Sequence, residues 1–165
     1  MKRVFTFSCL VALCYLFPMA LSAQECIDYH KNNCKPTQSI AGSVYSYCED
    51  SRSALMLKGQ QSEFRFQLHQ GKDFRITICS DVALGDKIQY QIIDWDENTL
   101  LYDNKDYNYE RSFEFTVLRT RNVKILVNIP ADEKTTSSNT LGFKAKPTQM
   151  GCVGVLIESM VTPKK

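Results

Sequence analysis

The chain has 165 residues, 44% hydrophobic and 23% charged, which suits one domain with a sizeable core; its 17 Phe and Tyr argue against disorder. Its 20 Lys and Arg face 18 Asp and Glu, but Lys2 and Arg3 lie in an expected leader; without those two the balance is 18 against 18. A phosphate-backbone binder depends on surplus cationic side chains, so nucleic acid is excluded as a partner.

Met1-Lys2-Arg3 precedes an uncharged apolar run from Val4 to Leu21, with small residues at Ala20, Ser22 and Ala23. Positive, apolar, small and then polar is the order of a secretory signal peptide. Residues 1–23 are read as that peptide, with cleavage after Ala23 and a mature start at Gln24. Cys14 follows Leu13 and Cys26 follows Glu25, so neither has the small preceding residue that bacterial lipidation needs. The expectation is an exported protein, periplasmic or extracellular, without a transmembrane span after leader removal.

Residues 24–52 form a Cys-rich arm with little periodicity, interrupted by Asn32-Asn33, Pro36 and Gly42, and a short helix is expected from Glu25 to Lys31. From residue 53 to 165 the period becomes two. After Ala54 to Leu57, the residues Phe64, Phe66 and Leu68 alternate with Glu63, Arg65 and Gln67. Gln70-Gly71-Lys72 turns the chain, and Phe74, Ile76 and Ile78 alternate next; two such runs around a Gly turn predict a hairpin. Further runs start at Ile88, Leu100, Phe113, Val123 and Cys152, giving about eight short strands. A polar stretch from Asp132 to Thr148 is expected to be a long loop before the last strand.

No long helical period separates the runs, so parallel βαβ units are excluded. Short strands with one wet face each predict an all-β fold, an antiparallel two-sheet sandwich or jelly roll with the arm appended. The expected core holds Phe64, Phe66, Ile76, Ile88, Ile92, Phe113, Phe115, Ile125 and Val127.

Five cysteines remain after the leader: Cys26, Cys34, Cys48, Cys79 and Cys152. In an exported chain disulfides are the default, and an odd number leaves one thiol free or paired with another chain. Alternation places Cys79 and Cys152 on outward strand faces, so they are expected to bond each other, with a second bridge inside the arm, Cys26 to Cys34. Zinc needs closely paired ligands such as C-x2-C, and the only imidazoles are His30 and His69.

The stretches "SEFRFQLHQGKDFRITI", "KIQYQIIDWDENTLLYDN", "RSFEFTV" and "NVKILVNI" resemble the bacterial pre-peptidase C-terminal domain over residues 62–129, with 151–158 as a further match. The shared pattern is an aromatic strand, a Gly turn, a second aromatic-led strand, a strand ending near Asp and a late alternating strand. The resemblance implies a small jelly roll of the kind usually appended to secreted hydrolases. The chain differs by its Cys-rich arm and by having no enzyme domain attached.

Neither G-x-S-x-G nor H-E-x-x-H occurs, and a Cys–His enzyme would need Cys48 or Cys26 activated by His30, cysteines that disulfide bonding already explains. No catalytic residue is assigned, and no cofactor unless calcium. Between Asp94 and Glu110 nine side chains are Asp, Glu or Asn. Asp94, Asp96 and Asn98 begin like a calcium loop, but Thr99 stands where Gly is wanted and Lys105 where Glu is wanted, leaving only a looser oxygen site. The competing reading is that these residues simply make turns. Trp95, Tyr102, Tyr107 and Tyr109 lie in or beside the same loops and are the candidate ligand-binding aromatics. The functional expectation is a non-enzymatic exported sandwich binding a protein or glycan at the cell envelope. Its rivals are a small secreted hydrolase or hydrolase regulator, and a structural subunit of an envelope assembly.

Overall fold

The structure, a computed structural model, describes residues 26–35, 44–131 and 149–163. The expected leader, its cleavage site and the loop from Asp132 to Thr148 lie outside the described residues. Among the described residues one short α-helix, α1 (Tyr29–Asn33), precedes nine strands. These are β1 (Ser46–Tyr47), β2 (Arg52–Leu57), β3 (Gln61–Leu68), β4 (Lys72–Ser80), β5 (Gln89–Asp94), β6 (Leu100–Asp103), β7 (Ser112–Thr116), β8 (Arg121–Asn128) and β9 (Met150–Val161). The extra strand, β1, lies inside the stretch whose sequence shows no period.

Every pairing is antiparallel. One sheet runs β1-β9-β4-β7, with β2 following β1 along the same edge of β9; the other runs β3-β8-β5-β6. Only β5 and β6 are sequence neighbours joined as a hairpin. Between β2 and β9 every other connection crosses from one sheet to the other, which is the strand order of a jelly roll. The all-β sandwich is therefore the observed fold.

The hairpin expected at Gly71 is absent. Gly71 does make a tight turn with φ +77°, but β3 bonds to β8 over its whole length while β4 lies between β9 and β7. The turn's backbone groups bond elsewhere too: Gly71 N–H donates to Val117 and Gly71 C=O accepts from Thr162. The two strands face each other across the interior, with the Phe66 and Phe74 rings edge to face at 6.3 Å. Alternation tells which side of a strand is apolar; a crossing between sheets and a hairpin satisfy it equally.

The core is the expected one. Phe66, Ile76, Ile88, Ile92, Ile125 and Val127 are buried, and Phe64, Phe113 and Phe115 are half-buried against them. On β9 both faces are buried: Val153, Val155 and Ile157 join the core, while Cys152, Gly154 and Leu156 lie under the arm.

Four of the five cysteines among the described residues form bridges as expected, but the partners are exchanged. Cys26 bonds Cys152 and Cys34 bonds Cys79, with Cα–Cα distances of 5.4 and 5.0 Å. The register explains the correction. Cys79 lies opposite Gly154, so Cys152 is its diagonal neighbour, a position typically ~7–8 Å away and beyond ordinary disulfide reach. Helix α1 sits over Gly154 instead: a Cβ there would lie 2.8 Å from His30 Cα and 2.9 Å from both Cys34 Sγ and Cys79 Sγ. Only glycine admits this close approach, and the cysteines flanking the helix reach down to the sheet rather than to each other. Cys48 is the odd thiol, half-buried with Sγ 3.3 Å from Ser159 Oγ.

The remainder of that outer face is also built over. Arg75, on the outward side of β4, is 5% exposed; it pairs with Glu158 at 2.8 Å and Glu114 at 3.4 Å, and the Tyr45 ring lies 4.3 Å from its guanidinium carbon. Between β1 and β2 the chain leaves the ladder, and the Ser51 hydroxyl accepts the Ile157 N–H at 2.9 Å in its place.

Candidate functional site

Most outward positions of β5 and β8 carry polar side chains, several ordered by one another, with Ile93 and Leu126 half-buried among them. Gln89 Nε2 donates to both Asp103 carboxylate oxygens at 2.9 and 3.1 Å, and Gln91 Nε2 donates to Oδ2 at 2.6 Å. Asn128 Nδ2 extends the row to Gln89 Oε1 at 3.4 Å. Nearer the other edge, Gln67 Nε2 donates to Asn122 Oδ1 at 3.3 Å. Between these groups lies Trp95, which follows β5 directly and donates its backbone N–H to Asn122. Its ring is 38% exposed, with the Arg65 guanidinium carbon 3.2 Å and Lys124 Nζ 5.6 Å from its centroid. Arg65 and Lys124 are cross-strand partners, so the β3–β8 register presents both cations to one ring.

The expected aromatic group divides. Trp95 leans toward β3, whereas Tyr102 is buried beneath β6 with its ring 3.8 Å from Phe113. Tyr107 is exposed and stacks on Tyr102 at 5.2 Å. Tyr109 is half-buried at φ +58° and lines a cavity of about 10 Å³. Only Trp95 belongs to the open sheet face.

Asp94, Asp96 and Asn98, the residues of the expected oxygen site, lie together in the turn after β5. Asp94 is 3% exposed; its Oδ1 accepts the Asp96 and Glu97 N–H groups at 3.0 Å each, and its Oδ2 accepts from Arg121 at 3.1 Å. The Glu97 N–H foremost, then that of Asp96 and the Arg121 charge, hold the carboxyl below the usual aspartate range. Asn98 takes φ +51°, the conformation a turn demands. Among the described residues no three His, Cys, Asp or Glu side chains gather to hold a metal.

His30 meets neither Cys48 nor a free Cys26. Its Nδ1 lies 2.6 Å from Ser53 Oγ, which also accepts the His30 backbone N–H at 2.8 Å. The other ring nitrogen, Nε2, lies 3.1 Å from Tyr47 OH, and the ring tautomer sets which partner donates in each of these two bonds. Burial first, then the Lys31 charge, lower the His30 pKa below its ordinary value. Through Ser53 this imidazole pins the arm to β2. Sequence reasoning missed Ser53 because its partner lies 23 residues away; the amide row was available as the polar phase of the β5 and β8 alternation.

No family model matches the chain, and no curated protein does. Among solved structures it is similar to PliG of Aeromonas hydrophila, a periplasmic inhibitor of g-type lysozyme, with TM-score 0.44 and 7% identity over 76% of this chain and 94% of that one. The fold assignment rests on the strand order above. Among the described residues no helix is long and apolar enough to cross a membrane.

Proposed function

We propose that this chain is a non-enzymatic, exported β-sandwich that binds a glycan at the bacterial cell envelope through the outer face of its four-stranded sheet. The observation carrying the reading is the hydrogen-bonded row Asn128–Gln89–Asp103–Gln91 beside the Arg65–Trp95–Lys124 cluster, on a face that no element of the described residues covers. Amides and carboxylates exchange hydrogen bonds with sugar hydroxyls, and an aromatic ring packs against the apolar faces of sugar rings. Side chains already held by one another lose less entropy when a ligand arrives. Two disulfides support an oxidising compartment. The resemblance of residues 62–129 to pre-peptidase C-terminal domains also supports a module that works outside the cytoplasm.

Affinity electrophoresis of the oxidised protein through gels containing envelope polysaccharides or soluble peptidoglycan fragments tests the reading. Trp95→Ala is expected to weaken retardation roughly tenfold and Gln91→Ala several-fold, with Tyr107→Ala unchanged. Retardation that survives Trp95→Ala, or capture of a protein alone by the same face, would overturn it.

A further inference from the structure

We infer that the sandwich has a second binding site, an inter-sheet cleft that takes one medium-length acyl chain ending in a carboxylate. Among the described residues β2 and β3 each pair on one side only, and their other edges flank the same opening of the sandwich. A cleft of about 220 Å³ enters there, walled by Met56, Val153 and Val155 from one sheet and by Phe64 and Val127 from the other. Packed cores leave few voids larger than a water molecule, and an apolar cavity of about 150 Å³ already stays dry and accepts benzene. The present cleft is larger though open at its mouth, and apart from Arg52, Ser53 and Ser62 its lining is apolar. Met56 adds an unbranched side chain that adapts to the shape of an occupant.

Charge selects the head group. Of the described residues lining the cleft, Arg52 alone is charged. Its Nη1 donates to the carbonyls of Glu49 and Ser51 at 2.6 and 3.0 Å, which anchors the guanidinium beside the mouth. Its Nε and Nη2 make no hydrogen bond to a described residue, so part of the guanidinium fork is available to a carboxylate. The Ser53 hydroxyl is engaged by His30, which leaves Arg52 as the ionic anchor. An apolar slot with a cationic rim complements an anionic single-chain amphiphile; a neutral or cationic one satisfies only the slot. The site is separate from Trp95, and it stands or falls without the glycan reading.

Isothermal titration of the folded, oxidised protein with decanoate, decanol and decyltrimethylammonium, all below micelle formation, provides the test. Decanoate is expected to bind one to one and roughly tenfold more tightly than the cationic amphiphile. Arg52→Gln should erase that preference while decanol binding persists. Ala54→Leu and Val127→Phe, each checked for a retained melting transition, should fill the cleft and abolish binding of all three. The proposal fails if decanoate does not bind at millimolar concentration, or if Arg52→Gln leaves the preference intact. It fails equally if a filled, folded variant binds as wild type, or if sedimentation shows a dimer that occludes the cleft and excludes decanoate.

Discussion

The two sheets share one core and treat their outer faces in opposite ways. Over β9 and β4 the outward residues Cys152, Gly154, Cys79 and Arg75 lie beneath the arm, held by two disulfides, the His30–Ser53 hydrogen bond and the Arg75–Glu158 pair. Over β3, β8 and β5 the outward residues include Arg65, Gln67, Asn122, Lys124, Gln89 and Gln91, which bond among themselves or clasp Trp95, with Ile93 and Leu126 half-buried among them. The contrast shows where stability and recognition separate. Substitutions on the covered face should act on folding, and those on the open face on binding.

The largest effect should come from the disulfides. Cys26–Cys152 and Cys34–Cys79 span sequence separations of 126 and 45, for which the chain-entropy estimate is about 4–5 kcal/mol each. A domain usually has only ~5–15 kcal/mol in all. Cys152→Ala should therefore lower the melting temperature markedly under oxidising conditions, and reductant should do the same to wild type, whereas Cys48→Ala changes it little. Peptide mapping that recovers Cys79 bonded to Cys152 would overturn the register argument itself.

Next comes Gly154→Ala. The added methyl meets backbone and disulfide sulfur at 2.8–2.9 Å, atoms that cannot swing aside, so a loss of roughly 1–3 kcal/mol is expected in urea unfolding. Asn122→Ala, an exposed residue of the other sheet, should stay within about 0.5 kcal/mol and serves as the control.

Acid should loosen the covered face before the open one. The folded-state pKa of His30 is lowered, so its contribution to stability is complete above the ordinary value of 6.5 and is lost as pH falls through the lowered value. Asp28 raises the pKa against the dominant burial, while Lys31 and Arg52 lower it further. Hydrogen exchange between pH 7.5 and 5 should show α1 and β1 losing protection while β5 and β8 keep theirs. His30→Asn should remove that difference; equal loss in both sheets would refute it.

The smallest effect on stability belongs to Trp95→Ala. Exposed cation–π contacts are worth ~0.5–1 kcal/mol, so the melting temperature should shift only slightly while glycan retardation weakens roughly tenfold. A large drop in stability would place Trp95 among the packing residues and weaken the division between the faces.

What the sequence determined alone is everything that depends on a strand's own alternation. The inward set from Phe66 to Val127, the outward placement of Cys79 and Cys152, the odd thiol and the sandwich itself follow from a period of two and the five cysteines beyond the expected leader. Tertiary structure decided which strands became neighbours and what covered them. The run after Gly71 closes the interior from the opposite sheet because its apolar face is buried there as well as in a hairpin, and it gains two flanking strands, β9 and β7. Cys79 bonds Cys34 because β9 presents Gly154, not Cys152, directly opposite. Asp94 became the centre of a turn because Arg121 and two backbone N–H groups reached its carboxylate. These outcomes depend on positions across the fold to within an ångström or two, and a strand's own alternation does not carry that information.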